Sequence, residues 1–172
     1  ATGTEPADWA RHADSVSVCF SKGLGAPIGS ALAGTREFVE NCRFYRKMFG
    51  GQMRQAGILA AAVLYALKHN RERVVEDHDN ARLFAELAGQ SEWLSCIPPQ
   101  SNIVMVDLAE GVPAADLAEL LKSDYEVWAL AIAPRRIRAV THLDVTREQC
   151  EKAGHAFVAA AARLFAGSGA TA

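Results

Sequence analysis

The sequence predicts an α/β or α+β chain, and three observations point there. Short β-branched segments, among them Ser15 to Phe20, Ile103 to Leu108 and Arg136 to Leu143, alternate with longer stretches whose apolar residues recur at helical spacing. Glycine and proline punctuate the joins, at Gly23, Gly25 and Pro27, at Gly50 and Gly51, and at Pro98 and Pro99. Of the 172 residues half are hydrophobic and 22% charged, which is enough apolar material for a sizeable core and argues against disorder.

The elements follow in order. Ala1 to Ala13 carries Glu5, Pro6 and Asp8 where a signal peptide has a basic flank, and reads as a polar leader or linker. Ser15 to Phe20 places Val16, Val18 and Phe20 at alternate positions, the pattern of a strand, and runs into the loop Ser21 to Pro27. Ile28 to Gly34 is a second short strand, and Thr35 caps a helix through Lys47 that Gly50 and Gly51 close. Met53 to Leu67 is apolar on all sides, which predicts a helix buried in a core or a subunit interface. Val74 to Ala88 mixes helical apolar spacing with Arg and Asp and reads as a surface helix ended by Gly89. Ile103 to Leu108 opens a new unit, followed by a helix over Val112 to Lys122 and strands over Val127 to Ile132 and Arg136 to Leu143. Thr146 and Gln149 match a capping box, and a stripe from Cys150 to Phe165 predicts a packed terminal helix.

Composition excludes several classes. A formal net charge of −2 lacks the basic excess that neutralises a phosphate backbone or an anionic bilayer surface, so neither nucleic acid nor membrane is expected as a partner. The stretch Ala56 to Leu67 is shorter than the roughly 20 apolar residues a membrane span requires. Cys19, Cys42, Cys96 and Cys150 stand far apart without finger spacing, which predicts free thiols in a reducing, cytoplasmic setting. His69, His78 and His155 have no carboxylate or cysteine at ligand spacing, so no metal site is expected, and Asp77 and Asp79 fall on different helix faces. His142 reads as a strand histidine satisfied by backbone hydrogen bonds.

Lys22 stands where an apolar strand meets a glycine-containing loop. A lysine held there at the floor of a pocket is desolvated, which lowers its pKa and favours the neutral amine that Schiff-base chemistry needs. On Ser21-Lys22-Gly23 alone, an exposed loop lysine explains the residue better.

The run Asp14 to Pro27, containing Cys19-Phe20-Ser21-Lys22-Gly23-Leu24-Gly25, the run Arg46 to Gly57, and Arg138-Ala139-Val140-Thr141-His142-Leu143-Asp144-Val145 occur in order. Together they resemble the low-specificity L-threonine aldolases, which belong with the β-eliminating lyases of aspartate-aminotransferase-like fold. That resemblance implies a partial chain of fold type I, with the end of the large cofactor domain over residues 1–70 and a small C-terminal α+β domain over 71–172. It implies pyridoxal phosphate as cofactor, Lys22 as the Schiff-base lysine, Arg138 as the arginine that grips the substrate α-carboxylate, and Arg54 near the cofactor phosphate and reaching toward a partner subunit. Lys47 belongs to the same shared region, although a helix-end lysine favoured by the macrodipole accounts for it equally well. The implied reaction is retro-aldol cleavage of a small β-hydroxy-α-amino acid, L-threonine or L-allo-threonine, to glycine and acetaldehyde, in a dimer or tetramer with sites at the interface.

The family's upstream motifs have no counterpart here: the ring-stacking histidine, the aspartate for the pyridine nitrogen, a second carboxylate-binding arginine and the glycine-containing phosphate turn. Position one is not methionine, which suggests an incomplete chain, and Gln52 stands where the family usually has a third glycine. The expectation is therefore a chain inactive alone that acts within a complete aldolase; the competing expectation is a truncated, non-catalytic remnant keeping fold and dimer surface.

Overall fold

The computed structural model describes residues 1–169, and these divide into two compact units, Thr2 to Val74 and Val75 onward.

The first unit begins with a one-turn helix, α1 (Pro6–Ala10), inside the segment expected to be a polar leader; Pro6 occupies its first turn, where the missing N–H costs nothing. β1 (Ser15–Cys19) and β2 (Ser30–Gly34) pair antiparallel, Ser15 opposite Gly34 and Cys19 opposite Ser30. α2 (Arg36–Met48) starts at Thr35, whose Oγ1 accepts the Phe38 N–H at 3.2 Å. α3 (Gly57–His69) begins four residues later than the apolar run suggested, because Arg54 to Ala56 form a turn in which Gln55 takes φ 53°.

Within this chain, burial removes the core alternative for α3 and leaves the subunit-interface one. Only the stripe Leu59, Ala62, Val63 and Ala66 is covered, while Ile58 stays 81% exposed and Leu64 and Tyr65 remain open. A helix that is apolar all round needs partners on several sides. This unit offers it one: the β1–β2 loop, where the Cβ position of Gly29 lies 3.7 Å from Val63.

The second unit is a four-stranded antiparallel sheet in the order β3 (Leu94–Ile97), β4 (Ile103–Leu108), β6 (Arg136–Val140), β5 (Leu130–Ala133). Three helices, α4 (Val74–Ala88), α5 (Ala114–Tyr125) and α6 (Arg147–Ser168), cover one face. Alternation decides which face: Val104, Val106 and Leu108 of β4 and Ile137 of β6 point into the core with Leu117, Leu121, Phe157 and Phe165. Phe84 of α4 meets Phe157 of α6 edge to face, ring centroids 5.0 Å apart, and Trp93 stacks on Phe165 at 4.7 Å.

α4 is thus a core helix, contrary to the surface helix expected. Its Ala81, Phe84, Ala85 and Ala88 form a buried stripe, and Asp77, His78 and Asn80 are buried with it. The charges that suggested a surface position, Asp79 and Arg82, share the solvent side as an ion pair. β3 was not anticipated. The capping box at α6 is present in both directions, Thr146 Oγ1 accepting from Gln149 N at 3.2 Å and Gln149 Oε1 from Thr146 N at 2.8 Å. α6 runs one residue past Gly167 and ends at Gly169, φ 66°.

Candidate active site

Lys22 lies on the loop that carries the chain from Cys19 to Ser30, between paired strands. The loop is shaped by its own backbone: Gly25 N–H donates to the Lys22 carbonyl at 2.7 Å, Ala26 N–H to Phe20 O at 2.9 Å, and Phe20 N–H to Gly29 O at 3.0 Å. Gly25 closes the Lys22 turn with φ 69°, a conformation that disfavours any side chain. Asn70, the C-cap of α3, fastens the loop by donating from Nδ2 to the Leu24 carbonyl at 2.8 Å.

Leu24 and Ala26 turn inward, and Lys22 is exposed. The expected desolvated pocket floor is therefore not present around it. The loop packs on α3 along one side only, so nothing among the described residues walls in the amine. Beside it, the exposed Cys19 thiol sits 3.4 Å from Ser21 Oγ; its pKa is held down by hydrogen bonding from Ser21, with a smaller contribution from the Lys22 charge.

Arg54 is exposed in the turn before α3, and Ala56, the N-cap of that helix, supplies no side-chain acceptor for the first-turn amides. Lys47 is exposed in the last turn of α2. Lys22 and Arg54 therefore stand toward opposite ends of α3, whose 13 residues span about 20 Å at 1.5 Å per residue.

Arg138 belongs to the second unit, on β6, opposite Met105 of β4 and Leu130 of β5. It shares the helix-free face of the sheet with Arg136, Met105 and Asp107 and is half-buried. Its neighbours have carboxylate partners: Arg135 Nη1 meets Glu110 at 3.1 Å, and Arg136 donates from Nε and Nη2 to the two oxygens of Asp107 at 2.6 and 2.8 Å. Arg138 makes no ion pair among the described residues. The three closely spaced arginines are thereby distinguished: two are engaged and one is open.

The strand end after Arg138 is clamped. Thr141 is buried, its Oγ1 donating to the Asp77 carbonyl at 2.6 Å, while His142 is exposed after the strand and accepts the Asp144 N–H at 3.3 Å. A cavity of about 350 Å³, lined by Phe84, Val127, Ala139, Thr141, Cys150 and Phe157 among others, opens nearby, but none of Lys22, Arg54 and Arg138 lines it. Burial raises the Cys150 thiol pKa, and it pushes Cys96 up to about 11. Asp107, Asn102 and Thr141 were missed as supporting residues; the signal for Asp107 lay in its place on the polar side of an alternating strand, but naming its partner requires the register.

Among the described residues no three His, Cys, Asp or Glu side chains converge on a metal position, and no helix is long and apolar enough to cross a membrane.

The fold is that of the pyridoxal-phosphate-dependent fold type I enzymes: the chain superposes on a putative aromatic amino acid β-eliminating lyase/threonine aldolase from Exiguobacterium with a TM-score of 0.71, at 19% identity, covering 91% of this chain and 48% of that one. A putative L-allo-threonine aldolase from Listeria monocytogenes matches with a TM-score of 0.67 at 18% identity, covering 86% and 44%. The chain belongs to the β-eliminating lyase family, whose model matches residues 1–111. It is 44% identical over 156 residues to the low specificity L-threonine aldolase of Escherichia coli O157:H7, covering 90% of this chain and 45% of that protein, so it spans about half the length of the curated relatives it matches. Pyridoxal phosphate is the cofactor of this family and fold.

Whether these residues fit that cofactor divides by residue. Lys22 fits: it is an accessible primary amine on a loop held by four backbone-directed hydrogen bonds. Arg54 fits a phosphate in kind, a guanidinium beside the uncapped first turn of α3, but it precedes the N-terminus of that helix whereas the Lys22 loop is fastened at its C-cap.

Proposed function

We propose that this chain acts within a pyridoxal-phosphate-dependent retro-aldol lyase that cleaves L-threonine and L-allo-threonine to glycine and acetaldehyde. The observation that carries the reading is Arg138, an unengaged guanidinium on an open sheet face, in a chain 44% identical to a low specificity L-threonine aldolase. A planar guanidinium binds a carboxylate through two parallel charge-assisted hydrogen bonds, and on this face Arg138 is the strand arginine free to do so.

Lys22 offers the amine that attaches the cofactor aldehyde. Bound pyridoxal phosphate supplies the sink for the electron pair released when the Cα–Cβ bond breaks. Arg138 fixes the α-carboxylate and with it the orientation of the bond to be broken. Arg54, with the uncapped first turn of α3, offers positive charge and free amides to a phosphate.

The reading includes a homo-oligomer, dimer or tetramer, in which Arg54 of one copy serves the cofactor on Lys22 of another. The uncovered side of α3, with Ile58, Leu64 and Tyr65, and the exposed Phe44, Met48 and Phe49 of the α2 region suit the same contact. The reading includes a cytoplasmic location, in keeping with four unpaired cysteines.

The exposure of Lys22 favours a second reading, in which the chain keeps the fold and association surface of the family without a catalytic role. Borohydride reduction after incubation of the full-length protein with pyridoxal phosphate separates the two. The lyase reading expects a reduced cofactor adduct on the Lys22 peptide, its loss in Lys22→Ala, and glycine release from L-threonine that Lys22→Ala abolishes. An adduct unchanged in Lys22→Ala, with no glycine from the native protein, favours the second.

A further inference from the structure

Arg136 and Arg138 lie two residues apart on β6, on the same helix-free face, with backbones about 7 Å apart by strand geometry. They are chemically identical, yet the opposing strand treats them differently. Arg136 stands in register with Asp107, which takes both of its forward donors at 2.6 and 2.8 Å; Arg138 stands between Met105 and Leu130, side chains that cannot neutralise a cation. Two unengaged guanidinium groups at that spacing would make a receptor for an amino acid with carboxylates at both ends, one for each arginine.

Resting on the reading of Arg138 as the α-carboxylate clamp, we infer that Asp107 is a specificity-determining residue: by occupying Arg136 it leaves a single receptor on the face and selects against amino acids that carry a second carboxylate. Two effects act together. The fork of Arg136 is already filled, so a distal carboxylate finds no partner there, and the Asp107 charge repels that carboxylate as it approaches. Neutral β-hydroxy amino acids lose nothing, because they present only the α-carboxylate.

The test uses the full-length protein and two probes that differ by one carboxylate, L-alanine and L-aspartate, with dissociation constants read by titration calorimetry. Asp107→Asn is expected to tighten L-aspartate relative to L-alanine by about tenfold, the effect of one added charge-assisted pair. Arg136→Met alone, which uncovers the Asp107 charge, is expected to leave L-aspartate no tighter relative to L-alanine than in the native protein, and Asp107→Asn combined with Arg136→Met to abolish the gain. Asp107→Ser releases Arg136 by a second route and is scored the same way should the asparagine variant not fold. An unchanged ratio in the released variants, a gain that persists without Arg136, or a relative tightening of L-aspartate by Arg136→Met alone overturns the inference. Arg138→Met tests the underlying reading separately: it weakens both probes if Arg138 holds the α-carboxylate, and intact L-alanine binding refutes that reading whatever the Asp107 variants do.

Discussion

Thr141 and Asn102 hold each other across the neighbouring ends of β6 and β4. Thr141 N–H donates to the Asn102 carbonyl at 3.0 Å, and Asn102 Nδ2 donates to the Thr141 carbonyl at 2.8 Å. The Thr141 hydroxyl adds a third direction, to the Asp77 carbonyl of α4 at 2.6 Å. One buried residue thereby joins the strand that carries Arg138 to its neighbour and to the helix beneath.

Thr141→Val keeps the shape and the backbone bonds but leaves the Asp77 carbonyl without this buried donor. Losing one partner of a buried hydrogen bond costs about 1–3 kcal/mol, so the second unit should unfold at lower denaturant with an unchanged slope. Thr141→Ser, which keeps the hydroxyl, should recover most of the loss. Equal destabilisation by both variants would mean that the methyl group, not the hydroxyl, matters.

At Gly154, α6 comes close to α4: a Cβ built there would lie 2.6 Å from Leu87 Cβ, at the stiff root of that side chain rather than its tip. Helix propensity alone favours alanine over glycine by up to about 1 kcal/mol. Overpacking opposes it by about 1–3 kcal/mol, and with no flexible atom to give way the steric cost should prevail. Gly154→Ala should therefore lower the melting temperature, and paired with Leu87→Gly, which removes the Cβ it meets, should cost less than the two single changes added. A rise in melting temperature for Gly154→Ala would show that the helices separate freely.

Three of the four thiols should react in a definite order. Cys19 is exposed and its pKa is lowered by the Ser21 hydrogen bonds, so a larger share is thiolate at neutral pH. Cys96 is half-buried and pushed up to about 11, and Cys150 is buried and raised, burial being the main cause for both. Brief alkylation at neutral pH, followed by peptide mapping, should label Cys19 first and Cys96 and Cys150 only after unfolding. Early labelling of Cys150 would place its end of α6 outside the core.

Local signals were the readable part of this sequence, and partners were the unreadable part. Thr35 and Thr146 announce their helices because a cap is chemistry between residues three apart. β3 is hidden because Leu94 to Ile97 is too short to show a period; it becomes a strand by pairing with β4. The exchange of roles between α3 and α4 has the same origin. Periodicity reports how apolar a helix face is, not whether anything is available to cover it, so the all-apolar α3 lies open while α4 buries Asp77, His78 and Asn80. The candidate site divides likewise. Lys22, Arg54 and Arg138 were legible as motif positions, whereas the pairing that occupies Arg136 and leaves Arg138 open depends on Asp107 standing opposite Arg136 in register. The exposure of Lys22 belongs to packing, which no local motif encodes.

The Asp107–Arg136 pair also gives a pH dependence of known sign. Hydrogen bonds from Arg136 hold the Asp107 carboxyl below the usual carboxylate range; desolvation opposes them, and the charges of Arg136 and Arg135 add smaller lowering contributions. A carboxylate whose folded pKa lies below its unfolded value binds protons more readily in the unfolded chain, so its stabilisation is complete above the unfolded value of about 3.9 and disappears as pH falls through the folded one. The side chains are 43% and 36% exposed, so solvent screening limits the contribution to about 1 kcal/mol or less. Comparing Asp107→Asn with the native protein isolates this group, since Asp124 and Glu148, whose pKa values are also lowered, are common to both. The native protein should be the more stable at neutral pH, and the difference should shrink toward zero as pH falls below the unfolded carboxylate value of about 3.9. A difference that stays constant through that fall would mean the pair contributes by shape rather than by charge.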